Sequence, residues 1–468
     1  MFQRLWGGQE APSGQSSPRM KLKQAEPETI KDDQPLNPYT EIQILQHHKD
    51  IVRHLIAVDE ERFVSAGDDG VAVVWDIGIG RKICTLIGHT RQITSLLVLK
   101  PHIDPVLGMY NSSVYILTAA SDKQMRVWDI ESGECIQVIS EHASYVKCLL
   151  SLDEGDLVCS GGEKLCLWDR KGNMLHEFTR NDNEEENNSV PADVHLLILI
   201  KNDQIVAACE KQLVVYSIND LPDVEGGIQN KQLERVRKLR PHREAIRALI
   251  NVSEATFASG SLDGTIILWT THSHSPTRYF NSQGEYEGMY HDYPHCIQHM
   301  ICVEGRYVVA AIGSGYCVYD IIASKHLARK YAAHLSKIVH LELVYNGCFL
   351  ATCSEDGAVR LWGNRKYFNK KEEVVNKLPA SPSVIERLLG TSKEGLKKLM
   401  EEDKYVEPDL LGECLAHSGT VQKMLDFGQE GFATCGLDGL VIIWRDGVVR
   451  TKKRVEIARD MVLGEDLQ

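Results

Sequence analysis

Short runs of alternating apolar and polar residues, bounded by Asp-Gly and similar turn signals, fill most of the chain. Ile51-Val52-Arg53-His54-Leu55-Ile56 and Arg62-Phe63-Val64-Ser65 are two such runs, and Val71-Ala72-Val73-Val74-Trp75 is a fully apolar third. Alternation at period two predicts half-buried strands, and the continuous run predicts a strand covered on both faces. Asp-Gly at 69–70, 263–264, 356–357 and 438–439 predicts tight hairpins. A fourth, more polar strand follows each set, as in Lys82-Ile83-Cys84-Thr85-Leu86.

The strands repeat as a unit with fixed chemistry. A His precedes the first run, a Ser or Thr ends the second, an Asp follows four residues later, and a Trp six residues after that. The five full copies are His48, Ser65, Asp69, Trp75; His89, Thr118, Asp122, Trp128; His242, Ser259, Asp263, Trp269; His334, Thr352, Asp356, Trp362; and His417, Thr434, Asp438, Trp444. Three degraded copies end at Trp168, Tyr216 and Tyr319, so eight units result, with terminal aromatics 40 to 82 residues apart. A four-stranded sheet cannot bury both of its faces alone, so the units must stack radially and the ring must close. The last unit lacks an outer strand, and Glu41-Ile42-Gln43-Ile44-Leu45 alternates correctly while belonging to no earlier unit. It is expected to complete the eighth blade and clasp the two ends of the chain together.

Gly88-His89, Ser261-Leu262-Asp263-Gly264 and Trp128-Asp129 resemble the WD40 repeat family, over residues 41–447. The fold expected is all-β: an eight-bladed WD40 propeller over 37–447, preceded by a disordered tail at 1–36 and followed by a C-terminal helix and tail at 448–468. A narrower resemblance, to one branch of that family, is carried by Asn37-Pro38-Tyr39-Thr40-Glu41, His47 to Arg53, Ser65 to Gly70 and Cys353 to Gly357. That resemblance implies a scaffold subunit in a stable complex with two DENN-domain proteins, acting on small GTPases in autophagy, cytoplasmic and recruited to lysosomes through partners.

Recurring Ser, His and Asp invite comparison with a hydrolytic triad, in which a carboxylate orients a His base beside a Ser nucleophile. Five copies, each with a Trp, fit a structural network better: Asp accepts from His, His bonds the hydroxyl, and the hydroxyl meets the indole N–H. Exchange of His242 is therefore expected to cost stability rather than an activity. No phosphate-cradling G-x-x-x-x-G-K-[ST] sequence occurs, and Gly313-Ser314-Gly315 sits in a turn between strands. The paired-arginine F-R-R-G motif of phosphoinositide-binding propellers is absent. Trp168-Asp169-Arg170-Lys171 fits the W-D-x-[RK] ending of propellers that dock cullin ligase adaptors, which makes a ligase substrate receptor the alternative function.

Composition narrows the choices further. With 52 Lys and Arg against 65 Asp and Glu the chain carries a formal charge of −13, which excludes broad binding to nucleic acid. Thirteen cysteines occur singly, without C-x-x-C, and most lie within strand-like runs, as reduced core residues do. No metal or other cofactor is expected. The apolar stretch Val194–Ile200 is broken by His195 and is far short of the roughly 18 residues a membrane span needs, and no signal sequence or myristoylation site is expected near Phe2. No direct insertion into a membrane is expected.

Two departures from the repeat point to partners. Trp444 follows Trp362 by 82 positions, and the arm 364–409 holds two helical patterns. Ser383-Val384-Ile385-Glu386 and Thr391-Ser392-Lys393-Glu394 read as capping boxes, with Ile385, Leu388, Leu389, Leu396 and Leu399 forming an apolar stripe. The alternatives are a stripe packed on the propeller rim and a docking arm, for instance for a lysosomal membrane protein, aided by Arg365, Lys366, Lys370 and Lys371. The second departure is the clasp. The free edge of Glu41, Ile42, Gln43 and Ile44 can pair with a partner's strand, and a helix over Arg454–Leu463 would put Val455, Ala458, Met461 and Val462 beside it. An acidic loop at 181–189 carries no assignable chemistry.

Overall fold

In the computed structural model eight four-stranded antiparallel sheets form the eight blades of a propeller. The structure describes residues 37–455 apart from 101, 104–109, 112, 143, 153–155, 179–192, 202, 221–230, 240–241, 281–294, 369–382 and 403. The tail 1–36, the acidic loop 181–189 and the end of the chain from 456 lie outside the described residues.

Blade 1 is typical: Val52–Ala57, Arg62–Gly67, Val71–Asp76 and Lys82–Ile87 run in chain order from the channel to the rim. Its third strand is buried through Ala72, Val73 and Val74, because neighbouring blades cover both faces, while Ile83 and Ile87 on the outermost strand stay exposed. The apolar clusters lie between blades: Val64, Ala66 and Val74 of blade 1 pack with Ile116, Ala120 and Trp128 of blade 2. Each inner strand carries a register shift near its start, as between Val52 and His54 or between Val421 and Lys423. Such bulges increase local twist and re-aim the side chains beside them.

Blade 8 draws its outer strand from the far end of the chain. Glu41–Gln46 pairs antiparallel with Leu440–Arg445, bringing Ile42 opposite Trp444 and Leu45 opposite Val441. This is the expected clasp. Ahead of it Tyr39 is buried and meets Phe432 edge to face at 4.7 Å, while the Asn37 amide donates to the Glu413 carbonyl at 2.9 Å.

The arm enters between the third and outer strands of blade 7, Ala358–Gly363 and Asp409–Leu415. It contains a one-turn helix α1 (Arg365–Phe368), then α2 (Val384–Leu389) and α3 (Lys393–Glu401). The expected capping box on α2 forms: the Glu386 N–H donates to Ser383 Oγ, and the Ser383 N–H donates to Glu386 Oε2 at 2.9 Å. Gly390 closes α2 at φ +67°, a conformation that favours glycine. The second capping box does not form. Ser392, not Thr391, caps α3, and the residue three positions on is Gly395, which offers no side chain to reciprocate.

The docking stripe also needs correction. Ile385, Leu388, Leu389 and Leu396 are buried in one cluster with Leu327, Leu350 and Trp362 of blades 6 and 7, and Leu399 is half-buried. The stripe packs on the rim, where the apolar surface of blades 6 and 7 takes these four large aliphatic side chains out of water.

The C-terminal helix begins earlier than Arg454. Asp446 accepts from the Val448 and Val449 N–H groups, and the helix α4 runs from 447 through 455.

Candidate functional site

All five tetrads assemble. In blade 1, His48 Nδ1 lies 3.0 Å from Asp69 Oδ2, His48 Nε2 lies 2.8 Å from Ser65 Oγ, and the Trp75 indole N–H donates to the same oxygen at 2.8 Å. The tautomer with its proton on Nδ1 satisfies every group: Trp N–H donates to Ser Oγ, Ser O–H to His Nε2, and His N–H to Asp. The Asp oxygens also accept from the Lys49 and Val71 N–H groups, so each tetrad ties the strand entering a blade to the hairpin inside it. Blades 2, 7 and 8 repeat the arrangement, with Thr118, Thr352 and Thr434 as hubs. Blade 5 differs. His242 Nδ1 meets Thr265 Oγ1 at 2.8 Å, and that hydroxyl donates to Asp263 at 2.6 Å, leaving His242 and Asp263 3.6 Å apart.

Electrostatics follow burial and pairing. Burial raises the affinity of the Asp356 carboxyl for its proton, but the His334 hydrogen bond and the Leu335 and Ala358 N–H groups outweigh it and hold the group at about 2. Burial keeps His89 and His417 below the ordinary histidine range despite their Asp partners. Ser65, Thr118, Ser259, Thr352 and Thr434 are all fully buried. A substrate carbonyl has no approach to these hydroxyls, and each already accepts from an indole. The tetrads hold the blades and offer no nucleophile.

The degraded blades solve the same packing problem without the network. Register places Ala207 of blade 4 and Ala310 of blade 6 where Ser65 stands in blade 1, opposite the third strand, and each of these blades carries a Tyr in place of the Trp. Blade 3 keeps half of it: the Trp168 indole donates to Ser160 Oγ at 2.8 Å, while His142 Nδ1 turns to the Ser144 carbonyl at 2.7 Å. The adaptor-like motif lies in this blade. Trp168 is buried, and Arg170 donates to the Lys100 carbonyl of blade 2.

The clasp, like the outer strands of the other blades, presents a strand edge and exposed apolar side chains to solvent. Glu41–Gln46 pairs along one edge only, and no described strand takes the other. Ile42 is 47% and Ile44 50% exposed, on the same face of the strand. Glu41 and Gln43 are spent inside the chain. Arg454 and Arg450 of α4 reach Glu41 at 3.0 and 3.5 Å, the Gln43 amide donates to the Ile79 carbonyl at 2.9 Å, and Arg445 donates to Gln43 Oε1 at 2.7 Å. The helix is thereby held beside the strand, with Val448 and Val455 exposed; Ala458, Met461 and Val462 lie outside the described residues.

Sequence reasoning missed a second polar group on the inner strands, comprising His54, His299, His340 and Lys423. Those positions follow or fall within the bulges, where alternation breaks, so periodicity gives no signal for them. Among the described residues no three His, Cys, Asp or Glu side chains are placed to hold a metal ion, and no helix is long and apolar enough to cross a membrane.

Known proteins match the chain nearly end to end. WD repeat-containing protein 41 from Homo sapiens is 32% identical over 96% of this chain and 95% of its own length, and the Mus musculus protein 31% over 96% and 94%. A 104-residue match at 27% identity to WD repeat and SOCS box-containing protein 1 of Xenopus tropicalis spans only 22% of each chain. Among solved structures, the computationally designed Ika8 protein superposes with a TM-score of 0.59 at 19% identity, covering 88% of this chain and 99% of that one, which shows the fold alone. The propeller and these full-length relatives support a scaffold or adaptor role. The WDR41 family model matches residues 4–454, and the chain belongs to the WDR41 family of β-propellers.

Proposed function

We propose that the protein is the non-catalytic scaffold subunit of a stable complex with two DENN-domain proteins, and that the complex regulates small GTPases in autophagy and at lysosomes. The observation that carries the reading is similarity over 96% of the chain to WD repeat-containing protein 41, with the family model reaching from residue 4 to 454. The clasp supports it physically. An unpaired strand edge with two exposed isoleucines, braced by α4, offers main-chain hydrogen bonds and apolar area together, which is how an added strand is recognised. In the arm the apolar stripe is covered, so a lysosomal membrane-protein partner would meet the exposed polar face of α3, with Lys397 and Lys398, and the basic residues Arg365 and Lys366.

Affinity purification of the tagged chain at physiological salt, with mass spectrometry of stoichiometric partners, tests this beside a version lacking 452–468. Two DENN-domain proteins that disappear with the truncation are the expected result. Recovery of a cullin adaptor, lost on Arg170→Ala, would replace this reading with that of a ligase receptor.

A further inference from the structure

The inner strands make the wall of the central channel, and that wall is chemically lopsided. The residue that resumes pairing after the bulge is Ser95, Cys148, Leu196 and Ala248 in blades 2 to 5. In blades 7, 8 and 1 the same position holds His340, Lys423 and His54, and in blade 6 the bulge itself carries His299. Four consecutive blades thus place nitrogen bases at one level of the channel, and the four opposite place small or apolar side chains.

The His54 ring bonds the Ile93 backbone, and the other three residues are less fully paired. The His299 and His340 rings lie 4.3 Å apart, and His340, only 6% exposed, has a buried Nδ1 without a hydrogen-bond partner among the described residues. The Leu341 N–H donates to His299 Nδ1 at 3.3 Å, which fixes the proton of the neutral ring on Nε2, and that N–H meets no acceptor among the described residues. Lys423 is half-buried and makes no hydrogen bond or ion pair to a described residue. Two carboxylates are near. Asp426 accepts from the Tyr345 N–H at 3.2 Å and from the Asn346, Phe427 and Gly428 N–H groups. Glu342 Oε2 stands 3.9 Å from His340 Nε2, and burial pushes its carboxyl up to about 7, so it supplies less than a full counter-charge at neutral pH. A buried ring nitrogen without a partner, beside an ammonium without an ion pair, is costly and such groups are normally paired.

We infer that His54, His299, His340 and Lys423 form a binding site in the central channel for a small oxyanion, the phosphate or carboxylate group of a metabolite. A cation is disfavoured by the Lys423 ammonium and by the absence, among the described residues, of any ligand set for a metal. An oxyanion accepts from Lys423 and from a neutral imidazole N–H at once, and such charge-assisted hydrogen bonds are the strong ones. The apolar half of the wall takes the uncharged part of the ligand. This site is independent of the clasp and of any protein partner.

Titration calorimetry on the full-length chain with sodium phosphate, and separately with sodium citrate, against sodium chloride at matched ionic strength, tests it. Saturable heat with phosphate or citrate, absent with chloride, is expected, and the stronger of the two identifies the anion class. Lys423→Met is expected to bind about tenfold or more weakly, from loss of one charge-assisted bond. His299→Gln retains a donor and is expected to bind with a smaller loss. Should Lys423→Met fail to fold, the His299 Nε2–H resonance of the wild-type chain carries the test: it moves with the oxyanion and not with chloride. Response to neither oxyanion beyond that to chloride, or native affinity in a folded Lys423→Met, would overturn the site.

Discussion

The arm on blade 7 and the clasp on blade 8 carry similar apolar patterns, and the structure treats them in opposite ways. Leu388 of the arm is fully buried against Trp362 and its neighbours, while Ile42 and Ile44 of the clasp face solvent. An apolar stripe at the right spacing says that something covers it, but not what. In the arm the cover is the chain's own blade, so the stripe contributes to folding. In the clasp the strand's backbone is paired along one edge and its two isoleucines stay exposed to solvent, so they contribute little to folding.

That contrast has measurable consequences. Leu388→Ala removes a buried side chain from the arm cluster and is expected to cost about 2–5 kcal/mol in urea unfolding; a cost below about 1 kcal/mol would mean that the arm is a separable flap. Acid comes next, because the channel cluster lies between the two regions on blades 6, 7, 8 and 1. Burial, with the Lys423 charge adding to it, pushes His54 and His299 down to about 4. The unfolded chain takes up these protons near pH 6.5 and the folded chain only near 4, so stability falls as pH is lowered through that window, on the order of a few kcal/mol. His54→Gln with His299→Gln is expected to flatten that slope in melts taken from pH 7 to 4.

Smaller effects separate framework from surface. His242→Ala leaves the Ser259 and Thr265 hydroxyls without their shared partner and is expected to cost about 1–2 kcal/mol, read as a lower Tm. A variant melting with the native chain would show that the tetrads are ornaments of the repeat. Ile44→Ala, on the solvent face of the clasp, is expected to change stability by less than about 0.5 kcal/mol while weakening partner binding. A loss of stability comparable to that of Leu388→Ala would mean that the chain itself covers the clasp.

The propeller was legible because its information is local and repeated. A ten-residue offset from hydroxyl to indole is a geometric statement: with a tight Asp-Gly hairpin it sets Ser65 two residues from Phe63, the residue paired with Trp75. The closing strand was legible by elimination, since Glu41–Leu45 alternates and no earlier blade could take it. What escaped was decided by contact between distant segments. The Thr391 capping box failed because the helix starts one residue later, on Ser392, which puts Gly395 where the acid is required, and the helix at 447 starts on Asp446, a cap hidden behind the last strand. Whether the arm's leucines faced a partner or a blade depended on Leu350 and Trp362, which no helical pattern mentions. The channel cluster sits at bulges, where the period-two rule that located the inner strand of blade 1 no longer holds.

The central claim is that partner binding resides in the clasp and not in the arm's apolar stripe. Ile42→Asp with Ile44→Asp places two charges on the exposed face of the clasp strand, and its affinity for the purified DENN-domain proteins proposed above as partners, beside its melting curve, is the direct test. A native Tm with at least about a hundredfold loss of affinity is expected, as for substitutions at a desolvated hot spot. Native affinity in the doubly charged variant would contradict it.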